Sequence, residues 1–237
     1  MKDSEAAVAP MADETLHATD DGMKIYVDCE FIEDGRTIDL ISIGMVTEEG
    51  CCEYYAVSSE FSMVALAASP WLMENVWPSL PKIYGDARMY VMARAGWCPK
   101  WLRRRLPSLD LAIRARGLSD IVDWGHADVK SRTRIAREVQ GFILKHASPQ
   151  LWAWYGAYDH VAYAQLFGRM IDLPDGLPMF TNDLKQECVR LGDPRVPEQE
   201  SGQHNALGDA RHNRVIARFL AELAAPSGAP GRGGDTP

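Results

Sequence analysis

Two carboxylates on one face of a predicted strand constrain this chain more than any other feature of its sequence. In residues 25–31 the side chains alternate, so that Asp28 and Glu30 share one face while Cys29 and Phe31 point to the other. Apolar runs at residues 38–46 and 54–57 predict neighbouring strands that would bury this one centrally. Two buried carboxylates about 7 Å apart repel each other and are tolerated when cations neutralise them. An edge strand with a solvated acidic face is the alternative, and the pair alone leaves both open.

The composition fits one domain with a full core. The 237 residues are 46% hydrophobic and 24% charged, and their net charge of −8 excludes a general polycation that coats nucleic acid by charge alone. Clustered acidic residues can still hold cations that then meet phosphate. Five cysteines without C-x-x-C spacing argue against a disulfide framework or a structural zinc, and favour a cytoplasmic protein. No long apolar run or signal-peptide pattern is present, so no membrane partner is expected.

The chain divides into a central domain and two polar ends. Residues 1–22 are expected to be a disordered leader, residues 23–225 the folded domain, and residues 226–237 a disordered tail rich in Gly and Pro. Met11 and Met23 are hypothesised as alternative translation starts to Met1, and the sequence leaves the choice open. Strands at about 24–31, 37–47 and 52–58, joined by acidic-Gly turns, predict an antiparallel meander. Alternating helices and strands follow, which indicates an α/β domain with a mixed sheet.

The helices are predicted from capping residues and apolar spacing. Ser69 followed by Pro70 begins a short helix, and Ser131 begins a longer one. Residues 150–155 read as a buried strand, followed by a helix from Asp159 through Met170. Thr181 is predicted to cap a helix that stops near Gly192, and a last helix should run over about 204–224.

Residues 82–130 form an inserted segment in which basic and aromatic residues are interleaved. Such a segment could follow a phosphate backbone and stack bases, as in proteins that bind single-stranded nucleic acid. A surface helix with packed aromatics and solvated arginines is at least as good a reading. The role of this insertion therefore stays open.

Two carboxylates later in the chain are candidates for the same site as the acidic strand. Asp159 follows a predicted strand and turn and stands at a helix start, where an ordinary first-turn Asp is the simplest reading. His204 and Asp209 are five positions apart and would not share a helix face, since residues on a helix are rotated by about 100° each. The useful arrangement places Asp209 on the helix facing the sheet, with His204 on the preceding loop or first turn, able to fold over the site.

In this order the motifs resemble those of the DEDDh 3′–5′ exonuclease family. The resemblance is carried by Asp28-x-Glu30, then Asp159, then His204-x₄-Asp209. Residues 26–46, 151–160 and 204–210 are most similar to the polyadenylate-specific 3′-exoribonuclease type, RNase AS. The resemblance covers most of residues 23–222 except about 82–130. It implies an α/β fold of the ribonuclease H-like type, with an antiparallel first part of the sheet, parallel later strands and flanking helices. One departure is Tyr155, where the family's second motif often has an Asn.

The resemblance implies two-metal-ion catalysis. Two Mg²⁺ ions, for which Mn²⁺ would substitute, are expected to be held by Asp28, Glu30, Asp159 and Asp209. His204 is implied to be the general base, and a histidine of unperturbed pKa near 6.5 can accept the proton of an attacking water close to neutral pH. The product would be a nucleoside 5′-monophosphate.

The expected substrate is single-stranded RNA, shortened from its 3′ end. Glu30 is expected also to bind the terminal 3′-hydroxyl, while Phe31, Ile32 and Tyr158 contact the last nucleotides. Three alternatives remain at this point: an exonuclease acting on single-stranded DNA, a non-catalytic nucleic-acid binding module, and a metal phosphohydrolase of small nucleotides. A homodimer is also left open, because several members of the family dimerise.

Overall fold

The computed structural model describes residues 22–83 and 120–225 of the chain. Its strands are β1 (Lys24–Glu33), β2 (Ile38–Thr47), β3 (Glu53–Ser58), β4 (Lys82–Ile83), β5 (Ile121–Val122), β6 (Val129–Lys130), β7 (Gln150–Ala153) and β8 (Thr181–Asp183). Its α-helices are α1 (Met63–Ala68), α2 (Pro70–Asn75), α3 (Arg132–Ile143), α4 (Ala157–Gln165), α5 (Leu184–Arg190) and α6 (Ala206–Ala224). Short 3₁₀ helices occupy Trp77–Ser79 and Met170–Asp172.

A six-stranded mixed sheet in the order β6–β3–β2–β1–β7–β8 forms the centre of the domain. The first three strands form the predicted antiparallel meander, with β1 paired to β2 and β2 to β3. The later pairs β1–β7, β7–β8 and β3–β6 are parallel. Helices cover both faces, with α3 and α4 in the core on one face and α6 packed on the other. This confirms the predicted α/β fold with an antiparallel and then a parallel part, consistent with a ribonuclease H-like domain.

Strand β1 is central because the alternation of its side chains lets both faces be covered. Ile25 and Val27 enter the core shared with α3, where Ile135 is fully buried. On the opposite face Tyr26 packs against Ala210 of α6. The pairing register between β1 and β2 shifts between Glu30 and the following residue, so the regular ladder is interrupted directly after the two acidic side chains.

A close approach between β2 and α6 brings the last helix to the acidic strand. Gly44 is the β2 partner of Asp28, and a Cβ atom on Gly44 would lie 2.3 Å from backbone atoms of Ala206, the first residue of α6. The side chain of Asn205 caps this helix by accepting a hydrogen bond from an N–H of its first turn. Further along α6, the buried Asn213 amide donates a hydrogen bond of 3.1 Å to the Val27 carbonyl of β1. The lack of a side chain at position 44 is therefore what lets the start of α6 reach β1.

The two helix starts predicted at serine are confirmed, whereas the predicted bounds of two later helices are wrong. Ser69 and Ser131 cap α2 and α3 with their side chains. The helix predicted from Asp159 through Met170 begins at Ala157 and ends at Gln165. After this end, Gly168 adopts a φ of 110° and a separate 3₁₀ helix follows, so the chain does not continue as a helix to Met170.

The helix predicted to begin at Thr181 begins three residues later. Thr181 lies in β8, which pairs in parallel with β7, and the side chain of Asp183 caps α5. Parallel pairing joins residues about thirty positions apart, so a local capping pattern at Thr181 could not reveal it. The structure also adds α1, capped by Ser62, which the sequence pattern did not indicate.

Little of the inserted segment falls within the described residues. β4 and β5 pair as a short antiparallel ribbon, and β6 joins the main sheet. The basic and aromatic run, whose role the sequence leaves open, lies almost wholly in residues 84–119, outside the described residues, as do residues 1–21 and 226–237. Gly22, predicted to belong to the disordered leader, is described and buried, with its Cα facing Ser148. None of the helices in the described ranges combines the length and the apolar character needed to span a bilayer.

Candidate active site

The two acidic residues of β1 lie on the face of the sheet that α6 covers. Their β2 partners in the ladder are Gly44 for Asp28 and Ser42 for Glu30, which confirms that the two carboxylates share a face. Glu30 is only 8% exposed, and Asp28 is partly buried. Buried carboxylates need a proton or a compensating partner, and these two are therefore the first indication of a site.

Asp159 reaches the same region from the turn between β7 and α4. Tyr155 turns the chain in a left-handed conformation with φ of 55°, and α4 begins two residues later. Asp159 is in the first turn of this helix and is 6% exposed. Its Oδ1 accepts a 2.7 Å hydrogen bond from the backbone N–H of Cys29, the residue between the two β1 acids. This bond holds the third carboxylate against the acidic strand.

His204 and Asp209 come together because the loop before α6 folds back over the first turn of the helix. The backbone of His204 is left-handed, with φ of 59°, and its N–H donates a 2.8 Å hydrogen bond to Asp209 Oδ2. The His204 carbonyl accepts a 3.0 Å hydrogen bond from the Ser79 hydroxyl. One ligand atom from each of Glu30, His204 and Asp209 lies within 4.8 Å of the other two. His204 thus sits on the loop and Asp209 on the helix, as the sequence predicted.

A cavity of about 300 Å³ brings these residues together with a group of aromatic side chains. Its acidic and imidazole lining consists of Asp28, Glu30, Asp159, His204 and Asp209. Phe31, Trp154, Tyr155 and Tyr158 line the rest, together with Cys29. The rings of Phe31 and Tyr158 meet edge to face with centroids 5.7 Å apart. All five residues of the predicted acidic and histidine set therefore border one space.

Ile32 is placed differently from the other residues predicted to contact substrate. Its side chain is buried in a second core cluster with Ile41 and Val57, and it is not among the residues that line the cavity. Phe31 and Tyr158, in contrast, are at least partly exposed along the cavity. Of these three residues, Phe31 and Tyr158 border the cavity and Ile32 does not.

The electrostatics of the site are those of crowded, desolvated carboxylates. Burial, together with the charges of Asp209 and Asp159, raises the pKa of Glu30 to about 8. Burial also raises the pKa of Asp159 to about 7, against the lowering effect of the Cys29 N–H, and with a contribution from Asp183 at the cap of α5. The pKa of Asp28 is held well above its usual range by burial and then by Asp159, Glu30 and Asp209. The three charges that raise the pKa of Asp28 are thus those of the other carboxylates in the cavity.

This donor set suits a hard divalent cation. Four carboxylates supply oxygen ligands, which Mg²⁺ and Mn²⁺ prefer, and the His204 imidazole borders the same cavity. Bound cations would neutralise the carboxylates and lower their pKa values, which opposes the upward shifts that burial and mutual repulsion produce. The residues present therefore fit the divalent metal that the sequence predicted.

Two side chains that were not predicted from the sequence contact His204 and Asp209. Trp71 of α2, which is 53% exposed, meets the His204 ring edge to face with centroids 4.9 Å apart. The Gln199 amide donates a 2.7 Å hydrogen bond to Asp209 Oδ1. A tryptophan exposed on a short helix was a signal that could have pointed to Trp71. Gln199 lies in a polar loop whose composition does not distinguish it from an ordinary linker. Gln199, Gln203 and His212 line a second cavity of about 360 Å³ that shares Asp28, His204 and Asp209 with the first.

Comparison with known proteins identifies relatives of this chain. No protein-family model matches the chain. In two strains of Mycobacterium tuberculosis, proteins described as 3′-5′ exoribonucleases are each 38% identical to this chain over 191 residues. The match covers 80% of this chain and 88% of the relative. At that identity and coverage, the chain belongs to the family of these 3′-5′ exoribonucleases.

Proposed function

We propose that this protein is a metal-dependent 3′–5′ exoribonuclease of the DEDDh type, similar to RNase AS, which shortens single-stranded RNA to nucleoside 5′-monophosphates. The observation that carries the proposal is the cluster of four carboxylates and His204 around one cavity. The name of the mycobacterial relatives supports exoribonuclease activity. A cytoplasmic location and a homodimer stay predictions.

Asp28, Glu30, Asp159 and Asp209 would hold the metal ions. Two Mg²⁺ ions, or Mn²⁺ in their place, would activate the attacking water and stabilise the charge that develops on the leaving 3′ oxygen. The burial of Glu30 and Asp159 supports this role, because unneutralised carboxylates at these positions keep their protons near neutral pH. Gln199 and the Cys29 N–H would orient two of the ligands from outside, as supporting hydrogen bonds do in metal sites.

His204 would act as the general base. Its backbone is held at both ends, by Asp209 through the N–H and by Ser79 through the carbonyl, while the ring borders the cavity. A ring on a fixed backbone can rotate about its side-chain bonds and still return to one position over the site. Trp71 would limit that rotation by its edge contact. The His204 ring would take the proton from the attacking water and pass it to solvent.

The substrate would lie along the aromatic part of the cavity. Phe31 and Tyr158 would stack on or separate the last bases, a contact worth about 1–3 kcal/mol per base in single-strand binding proteins. Ile32 would support this wall from the core behind it. Glu30 would also receive a hydrogen bond from the terminal 3′-hydroxyl, which restricts cleavage to the chain end.

Digestion of a 5′-labelled single-stranded RNA tests the proposal, with a matched DNA and the variant Asp28→Asn beside it. We expect a ladder that shortens from the 3′ end in Mg²⁺, release of nucleoside 5′-monophosphates, and no cleavage in EDTA or by the variant. Calorimetric titration of Mg²⁺ or Mn²⁺ into both proteins measures cation binding separately. Equal or faster digestion of DNA would favour the DNA exonuclease, and hydrolysis confined to mononucleotides would favour the small-nucleotide phosphohydrolase. Tight RNA binding without cleavage in either metal would leave a binding module.

A further inference from the structure

A pair of adjacent cysteines stands at the turn between β2 and β3, away from the acidic cavity. Cys51 and Cys52 are both exposed, and their sulfur atoms are 3.6 Å apart. Cys29 and Cys188, in contrast, are buried. Reactive cysteines need access to solvent. Among the described cysteines, Cys51 and Cys52 meet this requirement and are therefore the candidates for thiol chemistry.

The backbone of the turn that carries the two thiols is held by hydrogen bonds from two sides. Cys52 is bonded to Thr47 across the turn, where its carbonyl accepts a 3.0 Å hydrogen bond from the Thr47 N–H. The Arg214 guanidinium of α6 also contacts the turn and donates hydrogen bonds of 2.6 Å to the Glu48 carbonyl and 2.8 Å to the Glu49 carbonyl. The second thiol therefore already lies beside the sulfur that reacts first, and it can attack that sulfur without a second molecule of the external disulfide.

We propose that Cys51 and Cys52 form a reversible redox-modification site, which a low-molecular-weight disulfide of the glutathione class oxidises to a vicinal disulfide. The Cys51 thiolate attacks one sulfur of the external disulfide, forms a mixed disulfide and releases one equivalent of reduced thiol. The Cys52 thiolate then attacks the Cys51 sulfur, closes the intramolecular bond and releases the second equivalent. The pair loses two electrons and two protons, and the external disulfide becomes two thiols.

The first attack is assigned to Cys51 because its neighbour is the poorer thiolate. Hydrogen bonding and charge from Cys51 raise the pKa of Cys52, which leaves less of Cys52 in the reactive thiolate form. In the mixed disulfide Cys51 carries no charge, so this effect on the pKa of Cys52 disappears. The second attack, by Cys52, therefore becomes easier once the first has occurred.

The product would be a labile bond. Consecutive Cα atoms are about 3.8 Å apart, shorter than the roughly 4.4–6.8 Å found across ordinary disulfides. A disulfide forced to span so short a distance is easily reduced. In a reducing compartment the pair would stay as thiols and oxidise only when the pool of external disulfide rises.

Mass spectrometry of the native protein, treated with oxidised glutathione, tests this proposal. A Cys98→Ser background removes the cysteine that lies outside the described residues. We expect the loss of two free thiols per chain, a mass lower by two hydrogen atoms, a cross-link mapped to residues 51–52, and full reversal by dithiothreitol. Cys52→Ser should instead retain one glutathione on Cys51, because the resolving thiol is gone.

Three results would overturn the proposal. They are stable glutathione adducts on both thiols of the intact pair, cross-links between two chains in place of the internal bond, and no adduct on Cys51 in Cys52→Ser. None of these measurements uses RNA cleavage, so the redox site and the nuclease can fail independently.

Discussion

Replacing Glu30 by glutamine should make the metal-free protein more stable at pH 8 while it weakens divalent-cation binding. Glutamine keeps the shape of the side chain but carries no charge. In the wild-type protein, burial and neighbouring carboxylates raise the pKa of Glu30 to about 8, so its ionisation in the folded state is unfavourable. The substitution removes that unfavourable ionisation and also one ligand of the proposed metal site.

The pH dependence has a definite sign. The folded-state pKa of Glu30 is higher than its unfolded value of 4.5, so the folded protein holds a proton that the unfolded chain has already released. The stabilisation from this proton is complete below pH 4.5, decreases as the pH rises, and is lost once the pH passes about 8. A shift of this size corresponds to on the order of 3 kcal/mol of unfolding free energy lost between pH 5 and pH 8.

Urea unfolding followed by tryptophan fluorescence, in EDTA and at pH 5, 6, 7 and 8, measures this difference. We expect the two proteins to be similar at pH 5, and Glu30→Gln to be the more stable at pH 8. Added Mg²⁺ should stabilise the wild type at pH 8 and have much less effect on the variant, because a ligand that binds only the folded state stabilises it. Parallel loss of stability in both proteins from pH 5 to pH 8 would refute the idea that Glu30 is a buried, strained carboxylate.

Further variants test the packing around the site and the cation requirement. Gly44→Ala should lower the free energy of unfolding by about 2 kcal/mol or more and reduce cation binding, because its Cβ would meet the Ala206 backbone at 2.3 Å. Gly141→Ala is the control: its Cβ has open space, and it should stabilise α3 by about 0.5–1 kcal/mol in the same urea assay. Trp71→Ala should lower kcat more than it raises KM, because the His204 ring loses its edge contact. Trp71→Phe should retain most of the wild-type rate. An unchanged kcat in Trp71→Ala would show that the contact does not matter for catalysis. His204→Ala should lower kcat by about 10²–10⁴-fold and leave calorimetric Mg²⁺ binding much less affected, a split that a purely structural role of His204 would not produce. EDTA should abolish RNA cleavage, and Mg²⁺ or Mn²⁺ should restore it; cleavage that persists in EDTA would contradict metal dependence.

The amino-acid sequence by itself determined the parts of this protein that depend on local pattern. The alternation along β1 predicted that Asp28 and Glu30 share a face, and the register with β2 confirms it. A strand, a turn and a helix start predicted the setting of Asp159, and the apolar spacing of the last helix predicted α6 within two residues. Period-two and helical spacings and serine caps involve near neighbours in the chain, so they can be seen without the fold.

Only the tertiary structure decided how these pieces meet. Thr181 looked like a helix cap and became strand β8, because β7 offers it a parallel partner from far away in the sequence. His204 turns back over Asp209 because Ser79 bonds its carbonyl, and Trp71 reaches its ring from another helix. The close approach of α6 to β1 depends on the missing side chain of Gly44, a requirement that appears only when two elements are packed together. These contacts join residues distant in the chain, and their energies depend on distances that no local pattern contains.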